Sequence, residues 1–200
     1  MGELDHPDYW EDIYRRNDAG WDKGRPSPPI VRLVKEGVIA AGSRIAVPGA
    51  GRGHEAIFLA REGFDVTAID FAPTAATAMR EAAAKASLRM RVLQDDVFAL
   101  AAHGPFDAIL EHTIFCAIEP ARRREYAGVM RDALAPRGLY FGLFYAHKKP
   151  GGPPHTTNDA EVRTLFGELF DVERLAVAPD GFPERLGNEL EFAFRKSSPR

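Results

Sequence analysis

The sequence is short of cysteine, of long apolar runs and of net positive charge. Its one cysteine, Cys116, cannot form an intramolecular disulfide, which favours a reducing compartment and hence the cytoplasm. We expect neither a membrane span nor a secretion signal, because no run reaches about 18 apolar residues and the N-terminus shows no basic segment followed by an apolar one. The net charge of −3 disfavours a nucleic-acid partner. We therefore expect a small-molecule partner.

The rest of the composition is that of an ordinary globular protein. With 45% hydrophobic and 28% charged residues, the 200-residue chain can bury a sizeable core, so we expect a single domain over 1–200. We expect it to be a monomer or a weak homodimer. No histidine or cysteine pair has the spacing of a zinc site, so no metal is expected. The basic run Arg122, Arg123 and Arg124 is interpreted as a solvated helix face.

From about residue 43 onward, short apolar runs alternate with longer amphipathic stretches, which is typical of an α/β fold with a parallel sheet. The apolar runs predict five parallel strands at 44–47, 65–69, 89–94, 106–110 and 138–145. The amphipathic stretches predict helices at 54–62, 74–87, 120–134 and 159–169, with a short or distorted connection at 99–103. Asn158 or Asp159 is the expected N-cap of the last of these helices.

The two ends of the chain depart from this alternation. The last two predicted strands, 172–177 and 190–195, have no room for a helix between them, so we expect them to pair as antiparallel neighbours. Helices predicted at 7–17 and 29–37 form an N-terminal cover within 1–40. The result is a seven-stranded, mostly parallel sheet with an antiparallel C-terminal strand and helices on both faces. Many methyltransferases of class I, with their Rossmann-like fold, have such a sheet.

A glycine-rich turn follows the first predicted strand and leads into a helix. It contains Gly49, Ala50, Gly51 and Gly53, and glycines there let the backbone approach a ligand closely. A dinucleotide-binding motif needs a small residue next, where this chain has His54, so NAD fits poorly. S-adenosylmethionine carries no phosphate to be placed at the helix start. We therefore expect S-adenosylmethionine as the cofactor.

Acidic residues follow the second and third predicted strands. Asp70 ends the second strand about 20 residues after the first glycine, where a carboxylate can bind both ribose hydroxyls, and Phe71 is assigned to the same pocket. After the third strand, Asp96 can accept from the exocyclic amine of adenine and the Val97 N–H can donate to the ring. The alternative for each of these carboxylates is the capping of the helix that follows.

Further candidates lie in the cover and after the fourth strand. Trp10, Tyr14 and Trp21 can converge over the cleft, where aromatic faces attract the sulfonium cation, or they only pack the first helix onto the domain. Glu111 and His112 lie where the fourth strand meets the ligand-binding edge of the sheet. A lone histidine can equally be a structural hydrogen-bonding residue.

With these residues together, the chain resembles the thiopurine methyltransferase superfamily, and within it the thiol and halide methyltransferases. The resemblance covers most of the chain. Its motifs are Tyr9-Trp10…Trp21-Asp22-Lys23-Gly24-Arg25-Pro26, Val47-Pro48-Gly49, Phe106-Asp107…His112-Thr113-Ile114-Phe115-Cys116-Ala117-Ile118 and Gly151-Gly152-Pro153-Pro154.

The resemblance implies S-adenosylmethionine as the cofactor. The family's cofactor-contacting positions look like Trp10, Tyr14, Trp21, Gly49, Asp70, Asp96, Val97 and His112 here. Two residues depart from the family: Tyr14 stands where tryptophan is frequent, and His112 stands where tyrosine is common. We expect cofactor binding to survive both departures, whereas the choice of acceptor can shift.

The resemblance also implies a reaction in which a soft nucleophile, such as a thiolate, hydrosulfide or halide, displaces the methyl group directly. His112, Tyr145, His147 and His155 are the candidates for a general base, and we expect any base role to be minor because a halide has no proton to lose. The alternatives are another small acceptor (an aromatic thiol, a thiopurine-like heterocycle, a selenium or tellurium species, an amine or a hydroxyl compound), a nucleotide-dependent oxidoreductase, and a cofactor-binding protein without catalysis.

Overall fold

A computed structural model describes residues 2–198 and shows one mixed sheet. Its seven strands are β1 (Arg44–Pro48), β2 (Asp65–Ile69), β3 (Arg91–Leu93), β4 (Phe106–His112), β5 (Leu134–Tyr145), β6 (Phe170–Val177) and β7 (Glu189–Lys196). They lie in the order β3-β2-β1-β4-β5-β7-β6, and only β7 runs antiparallel to its neighbours. The predicted α/β sheet, including the antiparallel terminal pair, is confirmed.

Six α-helices accompany these strands among the described residues. They are α1 (Pro7–Arg15), α2 (Pro28–Lys35), α3 (His54–Arg61), α4 (Pro73–Lys85), α5 (Arg123–Ala133) and α6 (Asp159–Phe166). The predicted helix at 120–134 begins with a separate 3-10 turn, Pro120–Arg122, and the distorted connection is a 3-10 helix, Val97–His103. The Asn158 side chain accepts a hydrogen bond from the Glu161 N–H at 2.9 Å, which confirms the predicted N-cap of α6.

Helices cover both faces of the sheet, as predicted. On one face, Tyr126 and Met130 of α5 and Phe166 of α6 pack against Tyr140 and Phe144 of β5. On the other face, residues of α2, α3 and α4 pack against the alternate positions of β1, β2 and β4, among them Leu33, Leu59, Met79, Ile45, Val66 and Leu110. Burying apolar side chains on both faces is what a central parallel sheet requires.

The N-terminal cover is attached to the sheet domain through α4. Glu11 of α1 accepts hydrogen bonds from the Thr74 N–H at 2.9 Å and the Thr74 hydroxyl at 2.6 Å, and so caps the start of α4. Tyr14 packs against Ala72 and Ala75 beside it. Within residues 2–198 we find no helix with the length and apolar character needed to cross a bilayer.

Candidate active site

A cavity of about 410 Å³ opens where the strands β1, β2, β4 and β5 end, and α1 and the segment after it close it from above. Most residues predicted from the sequence to form the site line this cavity. They are Trp10, Tyr14, Trp21, Gly49, Ala50, Gly51, Asp70, Phe71, Asp96, Val97, His112 and Tyr145. Ligands bind at this edge in open α/β sheets because the strand ends and the following loops converge there.

Two predicted cofactor residues lie outside the cavity lining. Gly53 has φ of 82° and packs against α4, since a Cβ there would lie 2.6 Å from Met79 Cγ. Glu111 is fully buried behind the site, because neighbouring residues of a strand point to opposite faces and His112 takes the side facing the cavity. Their positions do not support the expectation that Gly53 and Glu111 contact a cofactor, because both lie behind the residues that line the cavity.

The glycine loop gives the cavity a bare backbone wall. Gly49 and Gly51 have φ of 57° and 56°, in the left-handed region that glycine tolerates best. A Cβ at Gly49 would lie 2.6 Å from Ile114 Cδ1, and one at Gly51 would lie 3.0 Å from the Tyr14 hydroxyl. A methyl group at Gly49 would therefore collide with Ile114, and one at Gly51 would make an unusually tight contact with Tyr14.

Asp70 is the carboxylate nearest to this loop. Its two oxygens accept hydrogen bonds from the Gly51 N–H at 2.8 Å and the Ala72 N–H at 3.0 Å. Burial raises the pKa of Asp70 to about 6, against the opposing effect of these two donors, and Glu11 raises it further. A buried carboxylate with unused lone pairs at a cavity wall fits a ligand that presents hydroxyl donors, such as a ribose.

Asp96 both caps a helix and lines the cavity, so the capping that the sequence allowed is confirmed and leaves the residue at a ligand-facing wall. Its Oδ1 accepts from the Phe98 N–H at 2.9 Å at the start of the 3-10 helix. Val97, next in the chain, lies at the same wall. Asp95 points elsewhere and pairs with His103 at 2.9 Å, outside the cavity. Of these two acids, Asp96 is the one that lines the cavity, and its contact with adenine stays a prediction.

The cover closes the cavity with aromatic rings and polar tethers. Trp21 meets Trp10 and Tyr14 edge-on, with ring centroids 5.6 and 5.8 Å apart. Asp22 accepts from Arg52 Nη1 at 2.9 Å and pairs with His54 Nε2 at 2.7 Å. These contacts fix the segment after α1 to the glycine loop and to the start of α3.

His112 is surrounded by charged groups from three elements. Its Nδ1 lies 3.0 Å from Glu55 Oε1 of α3, and its Nε2 lies 3.9 Å from Glu189 Oε1 of β7 and 3.4 Å from Arg185 Nη1. Burial lowers the pKa of His112, but Glu55 and Glu189 outweigh it and raise the pKa to about 9. Glu55 engages Nδ1 and Arg185 engages Nε2, so neither ring nitrogen is free to take a proton from an acceptor, which does not favour His112 as a general base.

The other base candidates differ in position. Tyr145 lines the cavity. His147 stands outside it, with its Nε2 2.9 Å from the Pro154 carbonyl and its Nδ1 accepting from the Lys149 N–H at 3.1 Å. His155 also lies outside the lining, with its Nε2 buried and 3.8 Å from Glu119 Oε2. The prediction of a catalytic His155 is therefore not supported by its position.

Cys116 does not provide a proton acceptor or a nucleophile. In the part of the chain that the structure describes, no metal site is apparent. Burial raises the pKa of the Cys116 thiol to about 12, and its Sγ donates to the Thr113 carbonyl at 3.2 Å. Among residues 2–198, no group of three or more histidine, cysteine, aspartate or glutamate side chains is arranged to hold a metal ion.

Comparison with known proteins decides between the classes of function left open above. The sequence model of the thiopurine S-methyltransferase family matches residues 5–192. The chain belongs to the thiopurine S-methyltransferase family. It is a methyltransferase that depends on S-adenosylmethionine, and the alternatives of an oxidoreductase and a non-catalytic protein are set aside.

Two plant relatives of this methyltransferase align along most of their length. Thiocyanate methyltransferase 1 of Arabidopsis thaliana is 32% identical over 188 residues, which cover 90% of this chain and 81% of the relative. The protein named "Probable thiol methyltransferase 2" of the same plant is 30% identical over 187 residues, covering 89% and 82%. Among solved structures, 1,6-didemethyltoxoflavin-N1-methyltransferase of Burkholderia thailandensis, with bound S-adenosylhomocysteine, shares the fold at a TM-score of 0.78, with 19% identity and 96% and 87% coverage.

Several residues at or beside the cavity were not identified from the sequence. Glu55, Arg122 and Arg185 line the cavity, and Glu189 lies behind it. No local signal identifies Arg185, because it lies 73 residues from the His112 that it approaches. The interpretation of the basic run as a solvated face is wrong for two of its members. The Arg122 guanidinium lies 3.6 Å from the Phe98 ring centroid, and Arg123 is 2% exposed and donates to Glu161 Oε1 at 2.7 Å.

Proposed function

We propose that this methyltransferase transfers a methyl group from S-adenosylmethionine to a small soft nucleophile, a thiolate, hydrosulfide or halide ion, by direct displacement. The observation that carries the proposal is that one cavity joins the cofactor wall, formed by the glycine loop and Asp70, to a basic end lined by His112 and Arg185. The similarity to a thiocyanate methyltransferase and to a probable thiol methyltransferase supports the same acceptor class.

The proposed cofactor contacts follow from the cavity walls. Asp70 accepts from the ribose hydroxyls, Asp96 and the Val97 N–H recognise the adenine edge, and the backbone at Gly49, Ala50 and Gly51 lies against the ligand without intervening side chains. Phe71 contributes apolar contact beside Asp70. The ring faces of Trp10, Tyr14 and Trp21 attract the sulfonium cation. When bound, the cofactor supplies an activated methyl group.

The residues of the chain promote the reaction by positioning and by excluding water. An anionic acceptor and a sulfonium lose opposite charges as they react, so a dry and oriented site favours the reaction. The aromatic cover and its Asp22 tether to Arg52 and His54 enclose such a site. No base is required, since a thiol of pKa about 8.5 is already a few per cent ionised at neutral pH.

A heterocyclic or aromatic thiol is the second candidate acceptor. It is favoured by the description of the matched family, which names a thiopurine. Apolar side chains at the cavity, among them Ile13, Phe98 and Ile118, suit a ring. A selenium or tellurium species is a further soft acceptor within the same chemistry.

One assay tests the proposal. Purified protein is incubated with S-adenosylmethionine and a panel of iodide, bisulfide, small thiols and aromatic thiols, and the S-adenosylhomocysteine formed is measured. We expect S-adenosylhomocysteine to form with iodide, bisulfide and the small thiols. A protein that binds S-adenosylmethionine but forms S-adenosylhomocysteine with no member of the panel would contradict the proposed acceptor class.

We also propose that residues 1–200 form a single domain, with residues 1–40 as its cover. We propose that the protein works in the cytoplasm as a monomer or weak homodimer and does not bind nucleic acid. The single, buried Cys116 suits a reducing compartment, and the net charge of −3 does not attract a polyanion. Light scattering after size-exclusion chromatography tests the oligomeric state, and a dimer stable at nanomolar concentration would contradict it.

A further inference from the structure

The cavity end at Asp96, proposed above to recognise adenine, is covered by the start of the chain. Leu4 and Asp5 belong to a short 3-10 turn, Glu3–Asp5, and both line the cavity. The Trp10 indole N–H donates to the Leu4 carbonyl at 3.0 Å, so the turn is joined to α1. This end of the cavity is therefore formed by two segments that are far apart in the sequence.

Arg122 joins these two segments. Its Nη1 donates to Asp5 Oδ1 at 2.6 Å, and its Nε and Nη2 donate to the two carboxylate oxygens of Glu125 at 3.0 Å. Its guanidinium carbon lies 3.6 Å from the ring centroid of Phe98, which lines the cavity next to Val97. All three guanidinium nitrogens are thus hydrogen-bonded, and the planar group is held against the ring.

The surroundings of the Asp5–Arg122 ion pair distinguish it from a pair on the open surface. The side chains of Asp5 and Arg122 are 9% and 26% exposed, whereas those of the neighbouring pair Arg124 and Glu168 are 66% and 69% exposed. Exposed pairs contribute little, because water competes for both charges. The Phe98 ring excludes water from one face of the Arg122 guanidinium and attracts the cation. Arg122 is therefore better fixed in place than its neighbour Arg124.

Phe98 connects Arg122 to the acid that is proposed to recognise adenine. Its backbone N–H donates to Asp96 Oδ1 at 2.9 Å, and its ring meets the buried Tyr126 ring edge-on, with the centroids 6.2 Å apart. Phe98 is thus held by a core residue and by Arg122. A shift of Phe98 would move the start of the 3-10 helix that Asp96 caps.

We propose that Arg122 is a positioning residue for the adenine base of S-adenosylmethionine. Its stack on Phe98 and its ion pair with Asp5 form an adenine clasp, which keeps this end of the cavity in shape before the cofactor binds. The proposal rests on the cofactor contacts proposed above, and it does not depend on the acceptor end, the basic end lined by His112 and Arg185. A preformed site binds more tightly, because its side chains lose less freedom when the ligand arrives.

The adenine clasp acts locally, because the rest of the cover has its own attachments. Glu11 holds α1 to Thr74, and Asp22 holds the segment after α1 to Arg52. Neither contact involves Arg122. Loss of the clasp therefore loosens the N-terminal turn and the adenine wall while α1 stays attached.

Two ligands that differ only at the base test the clasp without turnover. S-inosylhomocysteine has a carbonyl where S-adenosylhomocysteine has the exocyclic amine, so it lacks the donor proposed for Asp96. Calorimetry gives the affinity for each ligand. We expect Arg122→Gln to weaken S-adenosylhomocysteine binding about 5–20-fold and to reduce the preference for adenine over hypoxanthine about threefold or more, because Asp96 and Phe98 are no longer held in place.

Two control variants separate the clasp from general effects. Arg124→Gln, whose partner Glu168 lies outside the cavity, leaves both affinities unchanged. Asp22→Asn loosens the cover at the glycine loop, so it weakens both ligands by the same factor and leaves the preference for adenine unchanged. If Arg122→Gln keeps the wild-type affinities, or weakens both ligands equally, the proposal is wrong.

Further variants separate the ion pair from the stack. Asp5→Asn removes the ion pair and leaves the stack on Phe98, whereas Arg122→Lys keeps a charge for Asp5 but loses the flat group that stacks. We expect each to weaken S-adenosylhomocysteine binding about 2–5-fold, and Asp5→Asn to have no further effect in the Arg122→Gln background. Losses that simply add in the double variant would show that the two residues act separately, and would overturn the clasp.

The failure of the clasp and the failure of the cofactor contacts give different results. Unchanged S-adenosylhomocysteine affinity in Asp96→Ala would contradict the proposed adenine contact, and the clasp with it. If Asp96→Ala weakens binding and Arg122→Gln does not, the clasp alone is wrong. We expect the melting temperature of ligand-free Arg122→Gln to fall by about 2 °C or less. A large fall with an unchanged preference for adenine would give Arg122 a structural role only.

Discussion

The Gly51 N–H donates to the Asp70 carboxylate over 2.8 Å, so the loop after β1 is hydrogen-bonded to the residue that follows β2. The Ala72 N–H holds the second carboxylate oxygen at 3.0 Å. These two bonds fix the Asp70 rotamer and leave its other lone pairs for a ligand at the cavity wall. The cofactor wall is thereby formed before any ligand arrives.

We expect Asp70→Ala to weaken binding of S-adenosylhomocysteine by about 10–100-fold, because a hydrogen bond to a charged acceptor contributes roughly 1.5–3 kcal/mol. Calorimetry measures the affinity. Asp95→Ala is the matched control, since this carboxylate pairs with His103 outside the cavity. Undiminished affinity in Asp70→Ala would show that the ribose lies elsewhere.

We expect cofactor affinity to fall as the pH drops through about 6, because burial raises the pKa of Asp70 to about 6 and protonation removes acceptor lone pairs. The raised pKa also means that the folded chain takes up this proton before the unfolded chain does. Protonated Asp70 therefore favours the folded state. This contribution to the free energy of unfolding is full below pH 3.8 and is lost as the pH rises through about 6. Calorimetry over pH 5–8 tests the affinity, with Asp70→Asn expected to bind weakly at every pH.

We expect Gly49→Ala to destabilise the protein more than Gly63→Ala. Both glycines have positive φ, 57° and 87°, so both variants bear the cost of a left-handed alanine, about 1 kcal/mol. Only at Gly49 does the new Cβ meet Ile114 Cδ1, at 2.6 Å, which adds about 1–3 kcal/mol of overpacking. Urea denaturation measures the difference, and Ile114→Ala in the Gly49→Ala background recovers part of it. An equal loss in the free energy of unfolding for Gly49→Ala and Gly63→Ala would contradict the predicted clash with Ile114.

We expect Glu111→Ala to lower the free energy of unfolding by about 3 kcal/mol or more. The buried carboxylate accepts from the N–H groups of Ile114 and Phe115 at 3.0 and 2.8 Å and from the hydroxyls of Tyr126 and Tyr140 at 2.6 and 2.9 Å. All four donors lose their partner in the alanine variant.

Glu111→Gln serves as the companion variant. Burial raises the pKa of Glu111, so a neutral amide loses hydrogen bonds without the cost of a buried charge, and we expect a smaller loss than in Glu111→Ala. Thermal and urea denaturation of both variants test this order. If the glutamine variant were as unstable as the alanine variant, the stabilisation would come from the charge of Glu111 and not from its hydrogen bonds.

We expect Asp22→Asn to speed the release of S-adenosylhomocysteine about tenfold, because the amide cannot keep both the Arg52 and the His54 contact that tether the cover. Stopped-flow tryptophan fluorescence reports the rate through Trp10 and Trp21. Asp12→Asn, on an exposed position of α1, is the control and leaves the rate unchanged. An unchanged rate in Asp22→Asn would show that the cover opens without breaking this tether.

The sheet could be predicted from the sequence because strand and helix periods are local signals. The ends of the strands could not be predicted, because hydrogen bonding to neighbouring strands determines them. The strand predicted at 89–94 is shorter in the structure, where β3 spans Arg91–Leu93 at the edge of the sheet and pairs only with β2. Reasoning from the strand ends also placed most candidate residues at the edge of the sheet where the cavity lies. It did not separate Glu111 from His112, because their assignment to opposite faces depends on the register with β5.

The part of the site that escaped prediction comes from contacts between distant segments. Glu55 and Arg185 meet His112 only after the sheet has formed, and no spacing in the sequence relates them. The raised pKa of His112 is likewise a product of the fold, because an isolated histidine has a pKa near 6.5. A motif can name a residue, but its protonation state depends on its neighbours in space.

The reversed direction of β7 gives the protein two independently variable regions around one pocket. A parallel strand reaches the ligand edge only with its last residues, whereas β7 reaches it with its first, where Glu189 pairs with Tyr145 of β5. The loop before β7 therefore delivers Arg185 to the acceptor end and carries none of the proposed cofactor contacts. Mutations in that loop can diversify the acceptor range of descendants while the ancestral methyl donor is retained.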